Sequence, residues 1–213
     1  MAINLLKEIN DSKLGLWCLN EDFDELYNKF TDIANKEDII KVNKFKFEKR
    51  KQEWIATRLL VAEICGKYKT IKYDKYGKPS IEGANISISH TKGLVAVVIG
   101  NKDVGIDVEK VSERIIKIAP RFLYPTEISE IDINNQLLQF HAYWCAKETI
   151  YKIYSKKAVD FKNNIKIKPF QIKNEGKIIG KINIDNFKEE YKLNYFIHKE
   201  NNVAETYIVV YYL

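Results

Sequence analysis

The chain has 213 residues, enough for one large domain or two small ones, with 46% hydrophobic and 12% aromatic side chains and only nine Gly and four Pro; this excludes a disordered or collagen-like chain. The formal net charge is +6, from 35 basic and 29 acidic residues, a mild excess that suits an anionic ligand or an acidic partner, and scattered lysines read as a solvated face rather than a nucleic-acid track. Cys18, Cys65 and Cys145 form no C-x-x-C pair, which excludes a zinc knuckle or disulfide framework and suits a reducing cytoplasm.

Residues 14–19 read as a strand and 23–31 as a short helix. From about Phe47 to Cys65 the apolar positions follow helical spacing, with Gly66 as the stop. Residues 73–79 form a turn rich in Lys and Tyr, 85–90 (NISISH) a period-2 strand, 94–99 a buried strand and 104–108 a third. Helices follow at 115–122, broken near Pro120, at 126–131 with Thr126 as N-cap, and at 137–154. Strands then return at 165–167, 177–184, 191–198 and 205–212, with turns at 174–176 and 199–202. No stretch approaches roughly 18 unbroken apolar residues, so neither a signal peptide nor a membrane span is expected.

The order has a coarse symmetry. A helix carrying Trp54 precedes one strand pair, and a helix carrying Trp144 precedes another. This predicts an α+β fold of two pseudo-symmetric halves, 1–103 and 104–213, each a helix on a small antiparallel sheet. A single α+β domain with coincidental order fits the pattern equally.

The common phosphate loops, G-x-S-x-G and H-E-x-x-H are absent. What remains is a set of carboxylates. Asp107 and Glu109 stand at i and i+2 on a predicted strand and share a face. Two such anions repel unless a cation lies beside them; hard oxygen ligands suit Mg²⁺, and a solvent-facing strand edge is the plain alternative. Glu148 and Lys152 stand at i and i+4 on a helix, either as a surface ion pair or as part of a site. Ser89-His90 ends a buried strand, where a His either meets a phosphate or is structural. Gly77-Lys78-Pro79 is a tight turn that aims Lys78.

In their order, GKP, ISH, GIDVE and WCAKETIYK, these motifs resemble the 4′-phosphopantetheinyl transferases, in their longer, Sfp-type branch. Arg121-Phe122-Leu123 followed by Glu127 looks like the same family's R-F-L…E stretch, and Thr149 stands where the family usually has Ala or Ser. The resemblance covers about residues 45–155. It implies two α+β halves with the active site between them, and a monomer rather than the trimer of the short acyl-carrier synthases. It implies transfer of the 4′-phosphopantetheine arm of coenzyme A to a carrier-protein serine, releasing adenosine 3′,5′-bisphosphate. By the same resemblance Asp107, Glu109 and Glu148 are expected to hold Mg²⁺, Glu148 also to accept the serine proton, and Lys152 to contact the phosphates. Lys78, Ser89 and His90 are expected to bind coenzyme A. Arg58, on the Trp54 helix, is the candidate for its 3′-phosphate because a guanidinium fork suits phosphate; Lys44 and Lys51 are weaker candidates. Neither nucleic acid nor membrane is an expected partner. Two other classes stay open: a Mg²⁺-dependent nuclease or phosphodiesterase, against which Lys110 directly follows Glu109 and so points to the opposite face, and a non-catalytic basic binding domain.

Overall fold

The computed structural model describes residues 3–156, 159–200 and 205–213. The chain is α+β, with helices and antiparallel sheets in two halves: one compact unit ends at Val104 and the other begins at Gly105.

In the first unit, β1 (Ile3–Ile9) and β2 (Ser12–Cys18) precede α1 (Phe23–Thr31), α2 (Lys36–Asn43) and α3 (Glu48–Cys65). The short strands β3 (Lys72–Tyr73) and β4 (Pro79–Ser80) pair with each other, and β5 (Asn85–Thr91) and β6 (Leu94–Gly100) complete a sheet of order β1-β2-β6-β5. All seven residues of β6 are buried, as its interior place demands. Helix α3 lies on one face of the sheet, where Leu60 packs on Gly15. Trp17, Phe30, Trp54, Ile55 and Val97 share the core there. Helix α3 ends at Gly66 in the left-handed conformation (φ 68°), as the sequence predicts.

The short strands β3 and β4 bracket the turn read at 73–79, and two longer elements of this unit have no counterpart in the sequence reading. The edge strand β1 alternates between half-buried and exposed, which leaves it a weak apolar signal. Helix α2 is capped by Asn35, whose side chain accepts the Asp38 N–H, and it buries only Asp38 and Val42.

In the second unit, β7 (Gly105–Lys110) is followed by α4 (Arg114–Phe122), α5 (Pro125–Ser129), a 3₁₀ turn at Ile133–Asn135 and α6 (Gln136–Tyr154). Then come α7 (Phe161–Asn164), β8 (Ile165–Ile167), β9 (Glu175–Ile184), β10 (Phe187–Lys199) and β11 (Thr206–Tyr212). The sheet order is β7-β11-β10-β9-β8, antiparallel throughout. Helix α6 packs on this sheet around Tyr143, Ala146 and Ile150, all fully buried.

Three local expectations are corrected here. Pro120 does not break α4, which runs on to Phe122; near the end of a nine-residue helix it removes one bond, and the Leu123 N–H closes the last turn on Ala119 O at 2.8 Å. Thr126 is not an N-cap, because α5 starts at Pro125 with Tyr124 before it, and Glu127 accepts the Tyr124 N–H at 2.7 Å. The turn expected at 174–176 gives Glu175 and Gly176 to β9. The turn expected at 199–202 falls partly on Asn201 and Asn202, outside the described residues.

Candidate active site

In the second unit the site begins with a close approach. A Cβ on Gly105 would lie 3.0 Å from Thr149 Cγ2 and 2.8 Å from Ile153 Cγ1, so only glycine lets β7 lie this close to α6. Alternation then turns Asp107 and Glu109 toward the same helix, while Ile106 and Val108 are fully buried on the other face. Lys152 reaches back across the gap. Its ammonium donates to Ile106 O at 2.9 Å and to Asp107 Oδ1 at 2.7 Å. The cation that two neighbouring carboxylates require is thus supplied on one side by the protein itself.

Glu148 stands one turn before Lys152. Burial pushes its carboxyl up to about 7; the Asp107 charge adds to that push, Lys152 opposes it and Glu109 reinforces it. The expected quartet of Asp107, Glu109, Glu148 and Lys152 is therefore one electrostatic cluster. Cys145, fully buried beneath it, has a thiol pushed well up by burial and then by Asp107 and Glu109, which makes it inert. Beside Glu148 opens a cleft of about 660 Å³, lined by Arg121, Phe122, Trp144, Tyr151 and Phe161.

Two residues quoted in the motifs without a role, Lys147 and Glu127, anchor segments that line this cleft. Lys147, on the buried stripe of α6 with Tyr143 and Ile150, is fully buried. Its ammonium donates to Glu127 Oε2 at 2.8 Å and to the carbonyls of Ile165 (2.7 Å), Phe122 (2.9 Å) and Phe161 (3.0 Å). Burial pulls its pKa down to about 8, and Glu127 pulls back. Glu127 Oε1 accepts the Ile167 N–H at 2.7 Å. The signal was a lysine at a core-facing helical position, which demands a buried partner.

In the first unit, Arg58, His90, Gly77 and Pro79 line a pocket of about 180 Å³, together with Arg50, Glu53 and Tyr73. Arg50 Nη1 lies 3.0 Å from His90 Nε2 and His90 Nδ1 lies 3.6 Å from Glu53 Oε2. Because Arg50 can only donate, Nε2 accepts and the ring proton sits on Nδ1, toward Glu53. Arg58 is 1% exposed. It stacks 3.1 Å above the Trp54 ring, donates to Trp54 O at 3.2 Å and pairs with Asp38 at 3.5 Å. Among the described residues its Nη2 meets no hydrogen-bond acceptor. Burial lowers its pKa, with Asp38 opposing.

Gly77 takes φ 87°, which closes the turn in which the Lys78 N–H donates to Asp74 Oδ1 at 2.8 Å. Lys78 itself is half-buried and does not line the pocket, and Ser89, 7% exposed, turns to the face of β5 opposite His90. Sequence reasoning missed Arg50 and Glu53; the signal was an arginine, one of four in the chain, two turns before Arg58 on the same helix.

A family model described as the 4′-phosphopantetheinyl transferase superfamily matches residues 103–211, the stretch that carries the whole Asp107–Lys152 cluster. Curated relatives include the 4′-phosphopantetheinyl transferase gsp of Aneurinibacillus migulanus, 36% identical over 87 residues, or 39% of this chain and 37% of that one. A 4′-phosphopantetheinyl transferase of Bacillus subtilis is 34% identical over 84 residues (37% of this chain, 38% of the relative). The 4′-phosphopantetheinyl transferase Sfp of Bacillus subtilis strain 168 is 32% identical over 89 residues, 40% of each chain. The chain spans about two-fifths of the length of these relatives. With the family match running over half its length and through its carboxylate cluster, the chain belongs to the 4′-phosphopantetheinyl transferase superfamily.

Proposed function

We propose that this protein transfers the 4′-phosphopantetheine arm of coenzyme A to a serine of an apo carrier protein, releasing adenosine 3′,5′-bisphosphate. The observation that carries the reading is Glu148: a carboxyl held near 7, beside Asp107, Glu109 and Lys152, at the wall of an open cleft. A group with that pKa takes and returns a proton at working pH. The serine oxygen attacks the phosphorus that bears the pantetheine arm, its proton passes to Glu148, and the bond from that phosphorus to the bisphosphate breaks. Lys152 places positive charge where negative charge gathers on the departing phosphate.

The donor set fits a divalent cation. Three carboxylates on β7 and α6 are hard oxygen donors; burial raises the Glu148 carboxyl first, and the charges of Asp107 and Glu109 add to it, so a cation beside them would be favoured. Among the described residues no group of three or more His, Cys, Asp and Glu side chains is placed to hold a metal ion by itself; Mg²⁺ needs only one or two carboxylates when water and phosphate complete its shell. Asp107, Glu109 and Glu148 would hold it. When bound, Mg²⁺ supplies Lewis-acid polarisation of the pyrophosphate.

The pocket of Arg50, Arg58 and His90 is our candidate for the 3′-phosphate, because two guanidinium groups and an imidazole line it and the buried Arg58 Nη2 has no acceptor among the described residues. Lys78 and Ser89 remain candidate coenzyme A contacts outside that pocket. The exposed side of α4, with Ile116, Ile118, Lys117 and Arg121, is our candidate carrier dock. We further propose a monomer, as the family resemblance implies, and a reducing compartment such as the cytoplasm, which suits Cys18, Cys65 and Cys145 carrying no disulfide among the described residues; no helix among those residues is long and apolar enough to cross a membrane. The nuclease reading is disfavoured because Lys110 is paired with Glu205.

The test is to incubate the protein with coenzyme A, Mg²⁺ and apo carrier proteins and weigh the carriers. A carrier heavier by one phosphopantetheine arm supports the reading; unchanged carriers of the fatty-acid, polyketide and peptide classes overturn it.

A further inference from the structure

Lys147 directly precedes Glu148, yet its four contacts lead away from the carboxylate cluster. Three of them are backbone carbonyls on different elements. Phe122 is the last residue of α4, Phe161 the first of α7, and Ile165 the first of β8. An ammonium has three protons, so four acceptors within 3.0 Å saturate it.

Two of those carbonyls belong to residues whose rings line the cleft, Phe122 and Phe161. Both rings flank Trp144, with centroids 5.0 and 5.6 Å from its own. One buried cation therefore ties both aromatic flanks of Trp144 to the helix that carries Glu148. A merely space-filling residue at this position would make no such directional bonds, and an apolar residue of equal volume would leave the carbonyls unanswered.

We propose that Lys147 is a positioning residue for the transfer: it fixes the distance between the Phe122 and Phe161 walls and so the path by which the acceptor hydroxyl reaches Glu148. This rests on the transferase reading for the reaction but not for the clamp. Small misplacements of a reacting group carry large rate costs, so the clamp should act on turnover more than on coenzyme A binding.

The test compares wild type with Lys147→Met and with Lys147→Gln, which keeps two donors and preserves the fold if Met does not. Each protein carries 5-fluorotryptophan, with the Trp144 resonance assigned through Trp144→Phe. The expected result is a shifted or broadened Trp144 ¹⁹F signal with Trp17 and Trp54 unmoved, and kcat lowered at least about tenfold while KM for coenzyme A stays within about twofold. The Gln variant should lie between wild type and Met. Wild-type kcat in a folded variant, or an unmoved Trp144 signal, overturns the positioning role alone. No transfer by the wild type overturns the transferase reading and this role with it.

Discussion

Glu148 is costly to ionise where it stands. Its folded value near 7 lies above the ordinary 4.5, so the stability gained by keeping it neutral is complete below about pH 4.5 and is lost as pH rises through 7. Glu148→Gln should therefore match wild type near pH 4 and exceed it by about 1–3 kcal/mol near pH 8, read from urea unfolding at both pH values. Its transfer activity should be lost at both. Asp107 behaves differently. Because Lys152 sits on its Oδ1 at 2.7 Å, deleting it does not simply relieve repulsion. Asp107→Asn, which keeps an acceptor for Lys152, should retain the wild-type circular dichroism melt while kcat falls about 10²–10³-fold. Arg58 is too deeply engaged to be a clean probe: Arg58→Ala removes the cationic partner of the buried Asp38 and leaves it, among the described residues, only the Tyr68 hydroxyl, at up to about 3–5 kcal/mol. Arg50, half exposed at the same pocket, is the better site. Arg50→Ala should raise KM for coenzyme A more than for 3′-dephospho-coenzyme A, and equal effects in steady-state kinetics would remove the phosphate from this pocket.

Among the elements, α4 presents two faces. Ile115, Ala119 and Phe122 are buried in the core of the second unit, whereas Ile116 and Ile118 are 43% and 38% exposed. Phe122→Ala should therefore cost about 3–5 kcal/mol and say little about docking. Lys117→Glu with Arg121→Glu changes only exposed charge. It should raise KM for an acidic carrier through slower association, with coenzyme A affinity and Tm near wild type. What the sequence disclosed at this scale followed burial. Helices α3 and α6 were legible because long apolar stretches of each are buried, and β5 because Ile and Ser alternate along its sequence, although its burial does not alternate. Strand β1 and helix α2 were not, because each buries too little to leave a period. Pro120 misled because a proline near a helix end sacrifices one bond rather than the helix.

Across the whole molecule, the carboxylate cluster was legible although Asp107 and Glu148 lie 41 residues apart, because each lies in a short motif with its own spacing. The pocket of Arg50 and Glu53 and the Lys147 anchor were not, since their meaning lies in which carbonyls and rings the fold brings near them. The +6 net charge acts at this scale too. Screening shortens its reach to about 10 Å at 0.1 M salt, so kcat/KM for an acidic carrier should fall as salt rises, with kcat nearly constant.

Lys147 also gives the second unit a chemical clock. It is the one lysine among the described residues that is fully buried, and its nitrogen is walled in by carbonyls of α4, α7 and β8. An acylating reagent reaches that amine only when those segments part from α6. Under native conditions it should be the last lysine to be acetylated. Its rate, followed by mass spectrometry across low denaturant concentrations, then measures how often this part of the molecule opens to solvent.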